Sequence, residues 1–306
     1  MSFDPDSLPE PQLKYVTCAH PKGLHRMAYW QWDARNGSPL GEGTVLCVHG
    51  LTRNGRDFDA LAARLSARYR VICPDIAGRG HSDRFVDPML YAVPQYLADC
   101  ITLVARLDVE RLDWIGTSMG GLLGMSMAAL PGNAIGRLVL NDIGPQLDPE
   151  GLARIGGYVG DDPDFDSFEQ GEAVLRELMR DFGPHTDAEF RLLSRNYVLR
   201  KPQQPGAAGG VRWGYHYDPA IAVPFRALAN VPSPDLWPMW EAIRCPVLTI
   251  RGAQSDILPA DVAARMASSG PRPRIAEFEG IGHAPTLIAD DQIAAVESFL
   301  NEEQAR

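Results

Sequence analysis

The sequence predicts an α/β protein whose core is a mostly parallel β-sheet with helices on both faces. Short runs that begin at positions 44, 70, 112 and 137 are apolar at nearly every residue, as strands covered on both faces must be. Helix-like stretches separate most of these runs, and such alternation is typical of a parallel sheet. The order is then interrupted for about a hundred residues before two further runs complete the pattern.

Eight strand-like runs define the expected sheet. Residues 14–19 and 26–32 are separated by the turn residues Pro21, Lys22 and Gly23, so we expect these two strands to pair antiparallel at one edge. The other six strands are predicted at 44–48, 70–73, 112–117, 137–141, 246–251 and 274–278.

The interruption predicts a helical insertion after the sixth strand. It contains, in order, two helical patterns at 170–182 and 187–199, a Gly/Pro-rich stretch at 201–210 and an aromatic-rich segment at 213–240. We therefore predict a core domain formed by residues 1–144 and 241–306, with residues 145–240 as a helical insertion on one edge of the sheet. This segment, 145–240, is called the insertion below.

Composition narrows the class of protein. The 306 residues include 45% hydrophobic and 22% charged residues, which is ordinary for a globular chain. The net charge of −10 argues against binding to nucleic acid. No apolar run is long enough to cross a membrane and the N-terminal segment lacks a signal-peptide pattern, so we expect a cytoplasmic protein without membrane insertion. The sequence does not indicate an oligomeric state.

The five cysteines do not indicate a disulfide framework or a structural zinc site. Their number is odd, several lie inside apolar strand-like runs, and no C-x-x-C spacing occurs among them. They are expected to be small buried hydrophobic side chains.

A nucleophilic serine is predicted where the fifth strand ends. The segment G-T-S-M-G at 116–120 follows the strand and precedes a helix rich in small and apolar residues, so Ser118 lies on a strand–turn–helix unit. Glycines two residues before and after a serine on such a turn prevent collisions with the neighbouring strand and helix. The alternative interpretation is an ordinary tight turn without chemistry.

A serine hydroxyl needs a base, and His283 is the predicted one. In the chain order serine, acid, histidine, only His185, His216 and His283 of the seven histidines can serve. His185 and His216 fall in the insertion, whereas His283 stands in the turn G-I-G-H-A-P just after the last strand.

Two aspartates follow strands and are candidates for the acid that orients His283. Asp256 lies in the turn G-A-Q-S-D-I-L-P, after the strand that directly precedes the strand leading to His283, and we predict that it is the acid. Asp142, in L-N-D-I-G-P, is the alternative acid; the Gly-Pro pair after it favours a structural role in a turn.

An oxyanion-binding loop is predicted at V-H-G-L-T, where the third strand ends in a glycine-containing turn. The backbone N–H groups of Leu51 and of Met119, the residue after the nucleophile, are the expected donors. His49 is expected to be structural, while Arg53 on the same loop is a possible substrate contact.

Together these motifs resemble those of the α/β-hydrolase superfamily. The resemblance runs from about Tyr15 to Leu300 and is carried by five segments in the family's order, namely HGL, PDIAGRGHSD, GTSMGG, GAQSDILP and GIGHAP. It implies an eight-stranded core sheet and a helical cap, residues 145–240, inserted after the sixth strand.

The predicted activity is that of a serine hydrolase that cleaves a carboxylic ester of a small or medium, largely apolar substrate through an acyl-enzyme. No metal or organic cofactor is required. The insertion supplies aromatic residues, of which Trp213 and Trp237 are possible substrate contacts. Two alternatives remain open. The first is another hydrolysis, either of a carbon–carbon bond in an aromatic ring-cleavage product, with Arg53 holding a carboxylate, or of an enol-lactone. The second is a non-catalytic ligand-binding member of the fold.

Overall fold

A computed structural model describes residues 5–38, 41–201, 211–227 and 234–302. Its main feature is an eight-stranded sheet in the order β1-β2-β4-β3-β5-β6-β9-β10. The strands, including the separate β7–β8 hairpin, are β1 (Gln12–His20), β2 (Gly23–Trp32), β3 (Thr44–Val48), β4 (Arg70–Pro74), β5 (Leu112–Thr117), β6 (Ile135–Asn141), β7 (Val198–Arg200), β8 (Trp213–Tyr215), β9 (Val247–Gly252) and β10 (Arg274–Phe278).

Strand pairing confirms the predicted sheet. β1 pairs antiparallel with β2, and β2 pairs antiparallel with β4. Every other neighbouring pair in the eight-stranded sheet is parallel, so the sheet is mixed, with the two antiparallel strands at one edge. Strands β3 and β9 are buried along their whole length, in agreement with their continuous apolar character.

Ten α-helices complete the described structure. They are α1 (Asp59–Leu65), α2 (Val93–Leu107), α3 (Met119–Ala128), α4 (Pro149–Tyr158), α5 (Phe168–Leu178), α6 (Asp187–Ser194), α7 (Ala222–Ala227), α8 (Trp237–Ala242), α9 (Ala260–Ser268) and α10 (Asp290–Asn301). Among the described residues, none of the helices combines the length and the apolar character needed to cross a bilayer.

The insertion is mainly helical, with two corrections to the predicted elements. The first predicted helix ends at Leu178, and residues Arg180–Phe182 form a single 3₁₀ turn. The second ends at Ser194, because Val198 is the first residue of β7 and pairs with Tyr215 of β8. The Gly/Pro-rich stretch lies outside the described residues, except for Lys201. The division into a core domain and a cap domain stays a prediction.

The arrangement of β3, β5, β6 and β9 determines where chemistry can occur. These four strands are parallel neighbours in the order β3-β5-β6-β9, so their carboxyl ends and the loops that follow them meet at one edge of the sheet. In open α/β sheets, this edge is where ligands bind.

Candidate active site

The turn between β5 and α3 holds Ser118 in an unusual backbone conformation. Its φ of 50° and ψ of −113° lie outside the regions that non-glycine residues prefer. The glycines around it allow this close packing: a methyl group on Gly120 would lie 1.9 Å from Val48 O, and one on Gly116 would lie 2.2 Å from Gly120 O. The sequence therefore forms the tight elbow that the motif predicts.

Ser118, His283 and Asp142 form a continuous chain of hydrogen bonds. His283 Nε2 lies 2.8 Å from Ser118 Oγ, and His283 Nδ1 lies 2.8 Å from Asp142 Oδ2. In a neutral imidazole with this arrangement, Nδ1–H donates to the carboxylate and Nε2 accepts from the serine hydroxyl. Asp142 is fully buried and the His283 side chain is 7% exposed, so both groups are largely shielded from water.

Asp142 is held by groups from β9 and from the turn that follows it. It follows β6 directly with φ of 59°, and its backbone N–H donates to Ile250 O at 2.8 Å. Its carboxylate accepts from Gly252 N–H at 3.0 Å and from the Ser255 hydroxyl at 2.6 Å. These two donors, a backbone N–H and a hydroxyl, hold the carboxylate in place beside His283.

The predicted assignment of Asp256 as the partner of His283 is wrong in this structure. Arg154 of α4 binds both carboxylate oxygens of Asp256, at 2.5 and 2.8 Å, and the Asp256 side chain is 40% exposed. The Arg154 guanidinium lowers the pKa of Asp256 below its usual value. In the turn after β9, the side chain of Ser255, the residue before Asp256, points towards Asp142. The side chain of Asp256 points towards Arg154 in the insertion.

The loop after β3 lies directly against Ser118. A methyl group placed on Gly50 would lie 3.8 Å from Ser118 Cβ, so the residue directly before Leu51 borders the nucleophile. Met119 is the first residue of α3, and N–H groups in the first turn of a helix have no acceptor within the helix. The geometry thus brings both predicted donors to the neighbourhood of the nucleophile.

His49 fixes the backbone of this loop, in agreement with its predicted structural role. Its Nε2 accepts from Ile76 N–H at 3.0 Å, so Nδ1 carries the proton and donates to Gly50 O at 2.7 Å. The side chain is fully buried, and burial lowers the pKa of His49 to about 3. The imidazole is therefore neutral at ordinary pH.

Residues of the insertion also hold the loop. His216, next to β8, bridges two core loops: Nδ1 accepts from Gly80 N–H at 2.9 Å, and Nε2 donates to Thr52 O at 3.0 Å. Asn54 donates to Asn196 O at 2.7 Å. The loop that carries Leu51 is consequently fastened between the core and the insertion.

Arg53 is not a free cation at the site. Both its Nε and Nη2 donate to Asp57, at 2.6 and 2.7 Å, and its guanidinium lies over the Tyr197 ring with Cζ 4.6 Å from the centroid. Burial alone would lower the pKa of Arg53, but the Asp57 carboxylate outweighs it and the net shift is upward. Its charge is thus already paired, which weakens the expectation that Arg53 contacts substrate.

The two predicted tryptophan contacts lie in packing positions. Trp213 packs edge-on against Phe168 and lies beside Arg200, whose Cζ is 5.2 Å from its ring centroid. Trp237 stacks under Arg265, with Cζ 3.6 Å from the ring centroid. None of these contacts links Trp213 or Trp237 to Ser118 or His283. Trp213 packs between β8 and α5, and Trp237 packs α8 against α9.

Two residues near the site had no role in the sequence-based prediction. Ser255 was passed over in favour of the neighbouring aspartate, although a hydroxyl beside a carboxylate is an ordinary hydrogen-bond donor. Arg79 lies within the segment PDIAGRGHSD and is fully buried. An arginine between two glycines carries no pattern that predicts burial.

A second cluster of potential ligands lies away from Ser118. Cys18, His25 and Asp99 are buried and present ligand atoms within 4.8 Å of one another. His25 Nε2 lies 3.0 Å from Asp99 Oδ2, and burial raises the pKa of the Cys18 thiol to about 12. Cys18 Sγ also donates to Asp99 O at 4.0 Å, so hydrogen bonds through Asp99 link all three residues within the core.

The chain is similar to a known family and to known proteins over most of its length. Residues 45–296, more than half of the chain, match the alpha/beta hydrolase family. A 3-hydroxybutyrate-oligomer hydrolase from Cupriavidus necator is 47% identical over 294 residues, which cover 94% of this chain and 97% of that protein.

Solved structures agree with this match. An alpha/beta hydrolase from Novosphingobium aromaticivorans superposes with a TM-score of 0.81 at 40% identity, covering 96% of this chain and 99% of the other. A protein from Rickettsia typhi superposes with a TM-score of 0.85 at 28% identity, covering 96% and 100%. The prediction of a hydrolase is confirmed by the family match and by the Cupriavidus relative. The chain belongs to the alpha/beta hydrolase family.

Proposed function

We propose that this protein is a serine hydrolase of carboxylic esters in which Ser118 is the nucleophile, His283 the general base and Asp142 the acid that orients His283. The observation that carries the proposal is the chain of two 2.8 Å hydrogen bonds from Ser118 through His283 to buried Asp142. Such a chain activates a hydroxyl that is otherwise a weak nucleophile.

The reaction follows from these positions. Ser118 Oγ attacks the acyl carbon of the ester while His283 Nε2 takes the hydroxyl proton, and Asp142 stabilises the imidazolium that forms. The negative charge on the former carbonyl oxygen is held by the N–H groups of Leu51 and Met119. His283 then gives its proton to the departing alcohol. Water attacks the acyl-enzyme with His283 again as base, which releases the carboxylic acid and restores Ser118.

The substrate we propose is a short oligomer of 3-hydroxybutyrate or an ester of similar size. The proposal draws on the relative from Cupriavidus necator, which matches nearly the whole length of this chain at 47% identity. In such an oligomer, the hydroxyl of one unit is esterified by the carboxyl group of the next. Cleavage of that bond is the chemistry described for Ser118, and it requires no cofactor.

Carbon–carbon bond hydrolysis is less well supported. It relied on Arg53 to hold a substrate carboxylate, whereas the Arg53 guanidinium is occupied by Asp57. The enol-lactone alternative has no specific contact in its favour. A non-catalytic role is disfavoured by the intact hydrogen-bond chain at Ser118.

The test is to assay the purified protein on the 3-hydroxybutyrate dimer and trimer, on p-nitrophenyl butyrate and on a ring-cleavage diketone. We expect hydrolysis of the oligomers and the nitrophenyl ester, and labelling of Ser118 by a fluorophosphonate located by peptide mass spectrometry. The Ser118→Ala variant is the matched control for both readouts. Labelling of another residue would contradict the nucleophile, and preferred turnover of the diketone would contradict the ester substrate. The cytoplasmic location stays a prediction that cell fractionation can check.

A further inference from the structure

Arg79 is a fully buried arginine without a carboxylate partner. Its guanidinium donates to three neutral oxygens: Leu51 O at 2.9 Å, Ala77 O at 2.7 Å and the Tyr96 hydroxyl at 2.7 Å. Among the described residues, no carboxylate lies within ion-pair distance of it. Burial of an unpaired cation costs several kcal/mol unless something compensates it.

The carboxylates of Asp75 and Asp218 accept hydrogen bonds from groups other than Arg79. Asp75 accepts from the N–H groups of Gly55 and His81, at 2.8 and 2.9 Å. Asp218 accepts from the Tyr91 hydroxyl at 2.5 Å. The hydrogen-bonding capacity of the guanidinium is therefore met by neutral groups, while its positive charge has no direct counter-charge.

The guanidinium contacts both residues that carry the proposed oxyanion donors. Its Nε binds the carbonyl oxygen of Leu51, and its Nη2 lies 4.0 Å from Met119 Sδ. Leu51 O belongs to the peptide unit that follows the Leu51 N–H. The hydrogen bond to this oxygen therefore anchors the loop on the C-terminal side of Leu51. The preceding peptide unit, which contains the Leu51 N–H, is held through Gly50 O by His49 Nδ1–H and Arg53 N–H.

We propose that Arg79 is a positioning residue of the oxyanion site, which anchors the loop that carries the Leu51 N–H and supplies a permanent positive charge beside Leu51 and Met119. This inference rests on the proposed function, because it requires that an oxyanion forms at Ser118. In the resting protein the guanidinium faces only neutral acceptors. When the ester carbonyl becomes an oxyanion, the buried cation gains the opposite charge that it lacked, and this gain occurs only in the transition state.

The proposal separates charge from hydrogen bonding, so two substitutions test it. Arg79→Lys keeps a positive charge with fewer donors, whereas Arg79→Gln keeps a donor for Leu51 O without the charge. With p-nitrophenyl butyrate as substrate, we expect kcat to fall about 100-fold in Arg79→Gln, near the lower end of the effect of losing a direct oxyanion donor. In Arg79→Lys it should fall by about tenfold or less, and KM should change by less than about threefold in both variants.

A trifluoromethyl ketone gives an independent readout, because its adduct with Ser118 carries an oxyanion. Its inhibition constant should rise across the variants by the same factor as kcat/KM falls. Arg70→Gln is the matched control: Arg70 also donates to neutral oxygens, Thr44 Oγ1 and Leu107 O, but it lies at the start of β4 instead of beyond its end. This variant should keep wild-type kcat.

The outcomes distinguish this inference from the proposed function. Equal loss of kcat in folded Arg79→Lys and Arg79→Gln, or wild-type kcat in Arg79→Gln, would overturn the role of the charge. If Arg79→Gln does not fold, Arg79→Lys decides: retention of about a tenth of kcat supports the proposal, and a thousandfold loss in the folded protein overturns it. Hydrolysis that persists in Ser118→Ala would instead overturn the proposed function.

Discussion

The carboxylate of Asp142 lies 2.8 Å from His283 Nδ1, although 141 residues separate the two in the chain. They meet because β6 and β9 are parallel neighbours in the sheet and β10 adds next to β9. Asp142 follows β6, and the loop after β10 returns His283 over the same edge. The acid of the proposed triad therefore comes from the strand that leads into the insertion.

Substitution of each of the two aspartates by asparagine is the most direct check of this arrangement. Asp142→Asn should lower kcat on p-nitrophenyl butyrate by about 10⁴-fold, as expected when an amide favours the wrong tautomer of the histidine. Asp256→Asn should change kcat by less than about fivefold, because it only weakens an exposed ion pair with Arg154. Both variants are measured for kcat and melting temperature. A large loss in Asp256→Asn and a small one in Asp142→Asn would instead show that Asp256 is the acid that orients His283.

Removal of the nucleophile should abolish turnover without affecting the fold. Ser118→Ala deletes a hydroxyl whose partner is His283, and loss of a triad member lowers kcat by several powers of ten. Circular dichroism and the melting temperature should match those of the wild type. Activity above a few per cent of wild type would contradict the assignment of Ser118.

The elbow glycines should tolerate no side chain. Gly120→Ala would place a methyl group 1.9 Å from Val48 O, so β3 and α3 must move apart and we expect loss of folded, active protein. Gly157→Ala in α4 is the control, because that position has open space and is exposed. It should stabilise the protein by up to about 1 kcal/mol through helix propensity. Urea unfolding of both variants measures the difference, and equal stability would contradict the packing described here.

Neutral buried histidines should make the protein less stable in acid. Burial lowers the pKa of His49 to about 3 and that of His216 well below its usual value. Both groups gain protons on unfolding between about pH 6.5 and the lower folded-state value, so the free energy of unfolding falls as the pH falls through that window. Each group contributes up to about 1.4 kcal/mol per pH unit.

His216→Asn tests this linkage through the slope rather than the absolute stability. The free energy of unfolding, measured in urea at pH 5.5 and 4.5, should fall less steeply in the variant by the contribution of one proton. Identical slopes in variant and wild type would show that His216 is not held neutral by the fold.

Local patterns could be predicted from the sequence, whereas the long-range placement of side chains could not. The tight turn at Ser118 was predictable because its strand, its turn and its glycines are adjacent in the chain. The position of His283 was predictable because it follows the last strand. The choice between Asp142 and Asp256 depended on which way a side chain points after each of two neighbouring strands, which spacing does not encode. Arg79 was missed for a related reason, since its burial arises from Leu51 and Tyr96, which are distant in sequence.

The hydrogen bonds from Asn54 to Asn196 and from His216 to Thr52 affect how this enzyme can be recombined with its relatives. A chimera that exchanged only the segment between β6 and β9 would replace the partners of Asn54 and Thr52 with those of a relative, and would disturb the turn that carries Leu51. Substrate preference and catalytic rate would then change together. The smallest unit that can be transferred between homologues is therefore discontinuous, and it includes the segment after β3 as well as the insertion.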